Sequence, residues 1–186
     1  MRKKNIQDAI MMAKKLRSDL EIEGIGVDLD VIIDLINKNN YVNYGDQIIV
    51  KEIDLKELRK HYGKNVSGFI KRVGNNVYIG IESDEAPFRK RFTLAHELGH
   101  YILHPQKGDF EEIDFREKID FTGQGKYSTD PREQEANAFA AELLMPEEQV
   151  REYFNIYHFH EILAYIFGVS YEAMKNRLDN LGLGRW

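Results

Sequence analysis

The chain has no cysteine among its 186 residues. That absence excludes thiolate metal sites, cysteine nucleophiles and disulfide scaffolds together, and it suits a reducing compartment. Positive charge is not in surplus either: 26 Lys and Arg stand against 31 Asp and Glu, a formal net charge of −5. A basic coat for nucleic acid is therefore excluded, because there is no excess of cations to displace phosphate counterions. No apolar run approaches the ~18 residues of a membrane span. The basic start, MRKKNIQDAIMMAKKL, is interrupted by Gln7, Asp8, Lys14 and Lys15 and makes a poor signal peptide. Repeats and low-complexity tracts are missing as well. The expectation is a cytoplasmic protein without membrane contact and with direct nucleic-acid binding disfavoured.

What is present is enough to fold. Hydrophobic residues make up 42% and aromatics 11%, which rejects disorder. A chain of this length buries roughly 70% of its unfolded surface without help from a disulfide or metal. Ile6, Ala9, Ile10, Ala13, Leu16 and Leu20 form one stripe of an amphipathic helix over 5–20. Asp28 caps a second helix that buries Leu29, Ile32, Ile33 and Ile36. Gln47–Ile53 reads as a strand, and Asp54 with Glu57 as a capping box for a short helix ending before Gly63. Val66–Val73 and Val77–Ile81 read as a hairpin joined by Gly74-Asn75-Asn76. Residues 88–104 read as a helix ended by Pro105, and 106–129 as mostly loop. Asp130-Pro131-Arg132-Glu133 opens a helix running to about Met145.

The segment that carries chemistry is His96-Glu97-Leu98-Gly99-His100. Residues four apart on a helix are separated by one turn plus about 40°, so both imidazoles project to one side and can share one ion. Glu97 is rotated by ~100° from the first ligand and can reach the water such a site activates without being a ligand. This is the HExxH pattern of zinc peptidases: two ligands and a general base. Two features argue against a surface helix with incidental histidines. Gly99 costs a helix interior about 1 kcal/mol relative to Ala, which points to close approach by something else. The flanks Arg91–Ala95 and Tyr101–Leu103 make the helix mostly buried, where two histidines without partners are costly.

A third ligand must come from elsewhere. The His-rich extended zinc motif needs Gly at 103 and His at 106, but the chain has Leu103 and Gln106. His104 is ~12 Å of helical rise from His96, too far to share one ion. A carboxylate from the 131–145 helix remains, giving a His₂Glu site with one position open. Glu133 is assigned to the capping box. Glu135 begins a stretch with Ala136, Ala138, Ala140 and Ala141, small residues that permit close helix packing. Glu142 lies on roughly the same face as Glu135, deeper. Glu135 is favoured, with Glu142 second.

Arg91-Phe92-Thr93-Leu94-Ala95-His96-Glu97-Leu98-Gly99-His100, followed by Glu135-Ala136-Asn137-Ala138-Phe139-Ala140-Ala141-Glu142-Leu143-Leu144-Met145-Pro146, resembles the ImmA/IrrE metallo-endopeptidase family. The resemblance covers about 25–146, and the tail around Val169-Ser170, Arg177-Leu178 and Leu181-Gly182-Leu183 fits it too. It implies a zincin-like α+β fold with a small mixed or antiparallel sheet, an HExxH helix and a C-terminal helical subdomain. It also implies Zn²⁺ held by His96, His100 and Glu135, with Glu97 as catalytic base. Members of the family cut transcriptional repressors in bacteria and their mobile elements. Many carry a fused helix-turn-helix module, for which this chain has no room ahead of its core. The expected partner is therefore a separate helix-turn-helix repressor.

The division this suggests is an N-terminal helix (1–24), a peptidase core (25–150) and a helical tail (151–186). An oxyanion donor is needed besides Glu97. Tyr101, His104 and Tyr127 are candidates, with His104 read first as a helix-end residue. Tyr78–Ile81 is either an edge strand that pairs with extended substrate or an ordinary core strand. Residues 158–180 read as helix-turn-helix with a core of Ile162, Leu163, Ile166, Met174, Leu178 and Leu181. Lys175, Asn176 and Arg177 could face a DNA groove. However, 151–186 carries four cations and four anions, a weak duplex binder. His158 and His160, two apart, cannot share a helical face and read as non-ligands. Two alternatives stand beside the peptidase: a non-cleaving anti-repressor or toxin–antitoxin component, and a DNA-binding regulator acting through the tail.

Overall fold

A computed structural model describes residues 2–42, 45–62, 66–104 and 130–184. The elements in chain order are α1 (Arg2–Asp19), α2 (Leu29–Asn39), β1 (Gln47–Ile53), α3 (Lys56–Tyr62), β2 (Gly68–Val73), β3 (Asn76–Glu82) and α4 (Pro87–Leu103). They are followed by α5 (Pro131–Leu144), α6 (Glu147–Tyr157), α7 (His160–Phe167) and α8 (Tyr171–Asn180). The class is α+β, with a small mixed sheet that fits a zincin-like fold. The expected loop over 106–129 lies outside the described residues. Among the described residues no helix is long and apolar enough to cross a membrane.

By contacts the chain forms two compact units: Asp28–Ile119, and Met1–Val27 together with Asp120–Trp186. In the first, the Asp28 carboxylate caps α2 by accepting from the Asp30 and Val31 amides, and Leu29, Ile32, Ile33 and Ile36 are buried as their spacing requires. The helix closes on Asn40 in the left-handed region (φ 47°, ψ 47°), where Asn is better tolerated than most residues. The sheet order is β1-β3-β2, with β1 parallel and β2 antiparallel to β3. Val73 pairs with Asn76, so the hairpin turn is the two residues Gly74-Asn75, with Gly74 at φ +58°. Asn76 belongs to the strand rather than to the turn.

β3 is thus the middle strand, hydrogen-bonded on both sides. The edge-strand reading of Tyr78–Ile81 is corrected: the backbone there has no free ladder to offer an extended substrate. Register also fixes the two faces. Gly68 pairs with Ile81, Ile70 with Ile79 and Arg72 with Val77. These residues share one face, the face on which α4 lies, as the approach of Gly68 to Thr93 shows. Tyr78 and Phe69 occupy the other.

In the second unit α1 packs along α5, and α6, α7 and α8 follow one another as packed neighbours. Ala9, Ala13 and Leu16 of α1 are buried, as are Ala136, Phe139, Ala140 and Leu143 of α5. Small residues on both helices allow close contact. The helical pair expected in the tail is present. α7 closes on Gly168 (φ 62°), and Ser170 caps α8 through the Ala173 amide at 3.0 Å. Leu163, Met174 and Leu178 form its core, but Ile162 faces solvent, contrary to the expectation from spacing.

Candidate metal centre

α4 begins at Pro87, a residue suited to the first helical position because the amide it lacks would be unsatisfied there. From Phe92 to Ile102 every residue of α4 is buried. His96 and Glu97 are fully buried, and His100 nearly so. The motif therefore lies on an interior helix, as its apolar flanks predict.

The two imidazoles converge. Nε2 of His96 is 3.1 Å from Nε2 of His100, with ring centroids 4.9 Å apart and planes tilted by 54°. Two nitrogens bound at ~2.0–2.1 Å to one tetrahedral ion would be roughly 3.3 Å apart. The observed spacing lies close to that value, so the pair fits a divalent cation without rearrangement. His104 is the C-cap residue of α4. Its amide donates to the His100 carbonyl at 2.9 Å and its ring lies 5.6 Å from that of His100. This is the helix-end position expected for it.

Glu97 is placed by a feature the motif does not contain. A Cβ built at Gly68 on β2 would lie 2.6 Å from Thr93 Cγ2, 2.9 Å from the Gly80 carbonyl oxygen and 3.3 Å from Glu97 Oε1. Gly68 is the notch that lets α4 approach the sheet with its carboxylate against the strand. The available signal was a glycine inside a segment otherwise rich in strand formers, which marks close backbone approach.

Of the other candidates, Tyr101 is buried and its hydroxyl donates to Asp46 Oδ2 at 3.3 Å. A phenol has one proton to donate, and this one is directed at a carboxylate that also pairs with Arg72. Tyr78, read as a possible oxyanion or substrate contact on an edge strand, lies on the face of the sheet turned away from α4 and on a strand paired on both sides, so the edge-strand contact is corrected. Tyr127 lies outside the described residues. Arg91, also on α4, is held below the usual guanidinium range by burial, with Asp28 opposing the shift.

In the second unit, α5 begins as expected, with Asp130 Oδ1 accepting from the Arg132 amide at 2.9 Å and Pro131 at the first position. Glu133 and Glu135 are both half-buried. Glu142 is buried and committed. It forms an ion pair with buried Arg177, accepts from the Glu147 amide at 3.3 Å, and has Lys14 Nζ at 3.9 Å. Arg177 Nε also donates to the Met145 carbonyl at 3.0 Å. Two sequence readings change here. Glu142 is a structural acid rather than a spare ligand, and Arg177 is no groove-reading residue, because its guanidinium is buried. Arg17 joins the same neighbourhood, donating to the Leu143 carbonyl at 3.0 Å. Its burial pushes its guanidinium down while Glu142 raises it.

The family described as Peptidase_M78, IrrE N-terminal-like domain, matches residues 45–179. That is well over half of the chain and includes both α4 and α5. The chain belongs to this ImmA/IrrE family. Two relatives are similar to it. One is "Uncharacterized immunity region protein 2" of Bacillus phage phi105, 35% identical over 108 residues, which are 58% of this chain and 62% of the relative. Another is "Metallopeptidase ImmA" of Bacillus subtilis (strain 168), 31% identical over 85 residues, 46% of this chain and 40% of the relative. The chain thus spans less than two thirds of the length of the curated relatives it matches.

Proposed function

We propose that the chain is a metal-dependent endopeptidase that cuts a protein partner, a helix-turn-helix repressor of a mobile element. The observation that carries this reading is the buried His96–His100 pair, 3.1 Å apart at Nε2 and followed directly by buried Glu97 on α4. The names of the relatives support it: one is a metallopeptidase and the other belongs to a phage immunity region. Zinc is the metal that a His₂Glu donor set suits best, although other divalent ions bind such ligands.

The proposed ligands are His96, His100 and a carboxylate from the first turns of α5. Glu135 is the residue the family pattern points to. Glu133 stands beside it, because helix geometry separates the two by roughly 160° of azimuth. Glu135 lies within about 20° of the Glu142 stripe, which faces Arg177, whereas Glu133 is within about 20° of the Ala140 stripe. A bound divalent cation would supply Lewis-acid polarisation of the scissile carbonyl and acidify water. Glu97 takes the proton of the attacking water and delivers it to the departing amine, the two halves of general acid–base work. Its full burial keeps bulk water from competing for that proton.

The test is elemental analysis of purified wild type beside His96→Ala, Glu133→Ala and Glu135→Ala, with cleavage of a co-expressed repressor as second readout. Loss of metal in His96→Ala and in one of the two Glu variants is expected. Glu97→Gln should keep its metal and lose cleavage by about 10²–10⁴-fold, the usual share of a general base. Full cleavage by metal-loaded Glu97→Gln, or metal retained in all three alanine variants, would end the proposal.

A further inference from the structure

The face of the sheet turned away from α4 is concave. Side chains alternate along a strand, so the residues opposite Tyr78 and Gly80 of the middle strand share that face with them. There Lys51 and Ile53 of β1, Tyr78 of β3, and Phe69, Lys71 and Val73 of β2 line one hollow of about 400 Å³. Small-molecule sites span roughly 300–1,000 Å³. The floor of the hollow is a glycine. Gly80 lies inside β3, where a glycine weakens a strand and marks close approach by another group. The approaching group is Phe69: a Cβ built at Gly80 would lie 2.6 Å from Phe69 Cζ. The ring leans over the middle strand next to Tyr78, and both aromatics are half-buried. Ile53 and Val73 are 38% and 51% exposed.

Charge selects the ligand. Among the described residues the charged groups lining the hollow are both cations, Lys51 and Lys71. Register places them on the two outer strands, opposite Gly80 and Tyr78, with Cα atoms about 12 Å apart. Lys51 is exposed and enters no ion pair among the described residues. The acids nearby are engaged elsewhere. Glu52 points to the α4 side of the sheet and pairs with Lys90 at 2.7 Å. Glu82 is buried and accepts from the Leu55 and Asp84 amides at 3.3 and 3.1 Å. Just beyond β1, Asp54 and Glu57 are paired with Lys56 and Lys60. A peptide strand joins a sheet at its edge, through the backbone ladder, whereas this hollow lies on a face and offers side chains. We propose that the hollow is a binding site for a small aromatic anion, a planar ring system that carries one carboxylate, sulfonate or phosphate. Its rings would pack on Phe69 and Tyr78, and its charge would be met by Lys51 and Lys71.

The experiment titrates the full chain with 8-anilinonaphthalene-1-sulfonate, read by fluorescence, beside N-phenyl-1-naphthylamine, the same rings without the sulfonate. An uncharged apolar patch favours the second probe. The hollow should instead bind the anion at one saturable site, about tenfold or more tightly than the neutral probe. Lys51→Glu and Val73→Glu change exposed side chains, so both should keep the melting temperature. Each should weaken the anion by about tenfold or more, whereas Lys51→Arg should retain it. Equal binding of the two probes, no saturable anion binding, or anion binding that either acidic variant leaves unchanged overturns the proposal. A concentration-dependent dimer in sedimentation velocity that Lys51→Glu abolishes overturns it in favour of an acidic segment of a second copy. None of these residues belongs to the metal centre, so failure here leaves the peptidase reading standing.

Discussion

Glycine 68 shows how much one missing methyl group can position. Its neighbours in the direction of a Cβ are the Thr93 methyl, which could rotate, and the Gly80 carbonyl oxygen at 2.9 Å, which belongs to the middle of the sheet and could not. Gly68→Ala should therefore strain β2 against β3 and turn the Thr93 methyl aside, and cost about 1–3 kcal/mol, the range for overpacked interiors. A lower denaturation midpoint reads this directly. The peptidase activity proposed for the chain should fall further than stability, because Glu97 Oε1 is the next atom in the way. Gly74 makes the contrast. Its φ of +58° is strained for other residues, but nothing lies within 4 Å of an added Cβ, so Gly74→Ala should cost stability and leave activity untouched. Equal stability of Gly68→Ala and wild type would show that close approach is not what this position requires.

Between elements, the buried Glu142–Arg177 pair links α5 to α8. Arg177 also holds the carbonyl of Met145, where α5 ends. Removing Arg177 leaves the buried Glu142 carboxylate to the weaker support of the Glu147 amide at 3.3 Å and Lys14 at 3.9 Å, a loss of up to about 3–5 kcal/mol, whereas replacing both by apolar groups of similar size is often close to neutral. Arg177→Met should thus be strongly destabilised, and Arg177→Met/Glu142→Leu should recover most of the loss, as read by urea denaturation. A single variant as stable as wild type would remove the pair from the account. Periodicity placed both residues on the right helices and could not tell that they face one another. It left Glu142 free to be read as a ligand and Arg177 as a DNA contact. Residues 35 apart in the chain meet only after the helices have packed.

At the scale of the whole molecule, a ligand that binds the folded state alone raises its stability by an amount set by concentration over Kd, about 2.7 kcal/mol at a hundredfold excess. Zn²⁺ should raise the melting temperature of the wild type and a chelator should reverse it. His96→Ala and His100→Ala should respond to neither. An equal shift in wild type and both variants would place the ion elsewhere on this acidic chain.

Caps, hydrophobic spacing and the His-Glu-x-x-His pattern act over a few residues. The start of α2, the span of β1, the start of α5 and the convergence of two imidazoles on α4 could accordingly be read from the amino acids in order. Other features depend on partners far apart in the chain: the central place of β3, the turn of Tyr78 away from α4, the exposure of Ile162 and the notch at Gly68. Their energies come from packing across elements. A helix or strand looks the same in sequence whichever neighbour later covers it, so these features were settled only when the chain closed on itself.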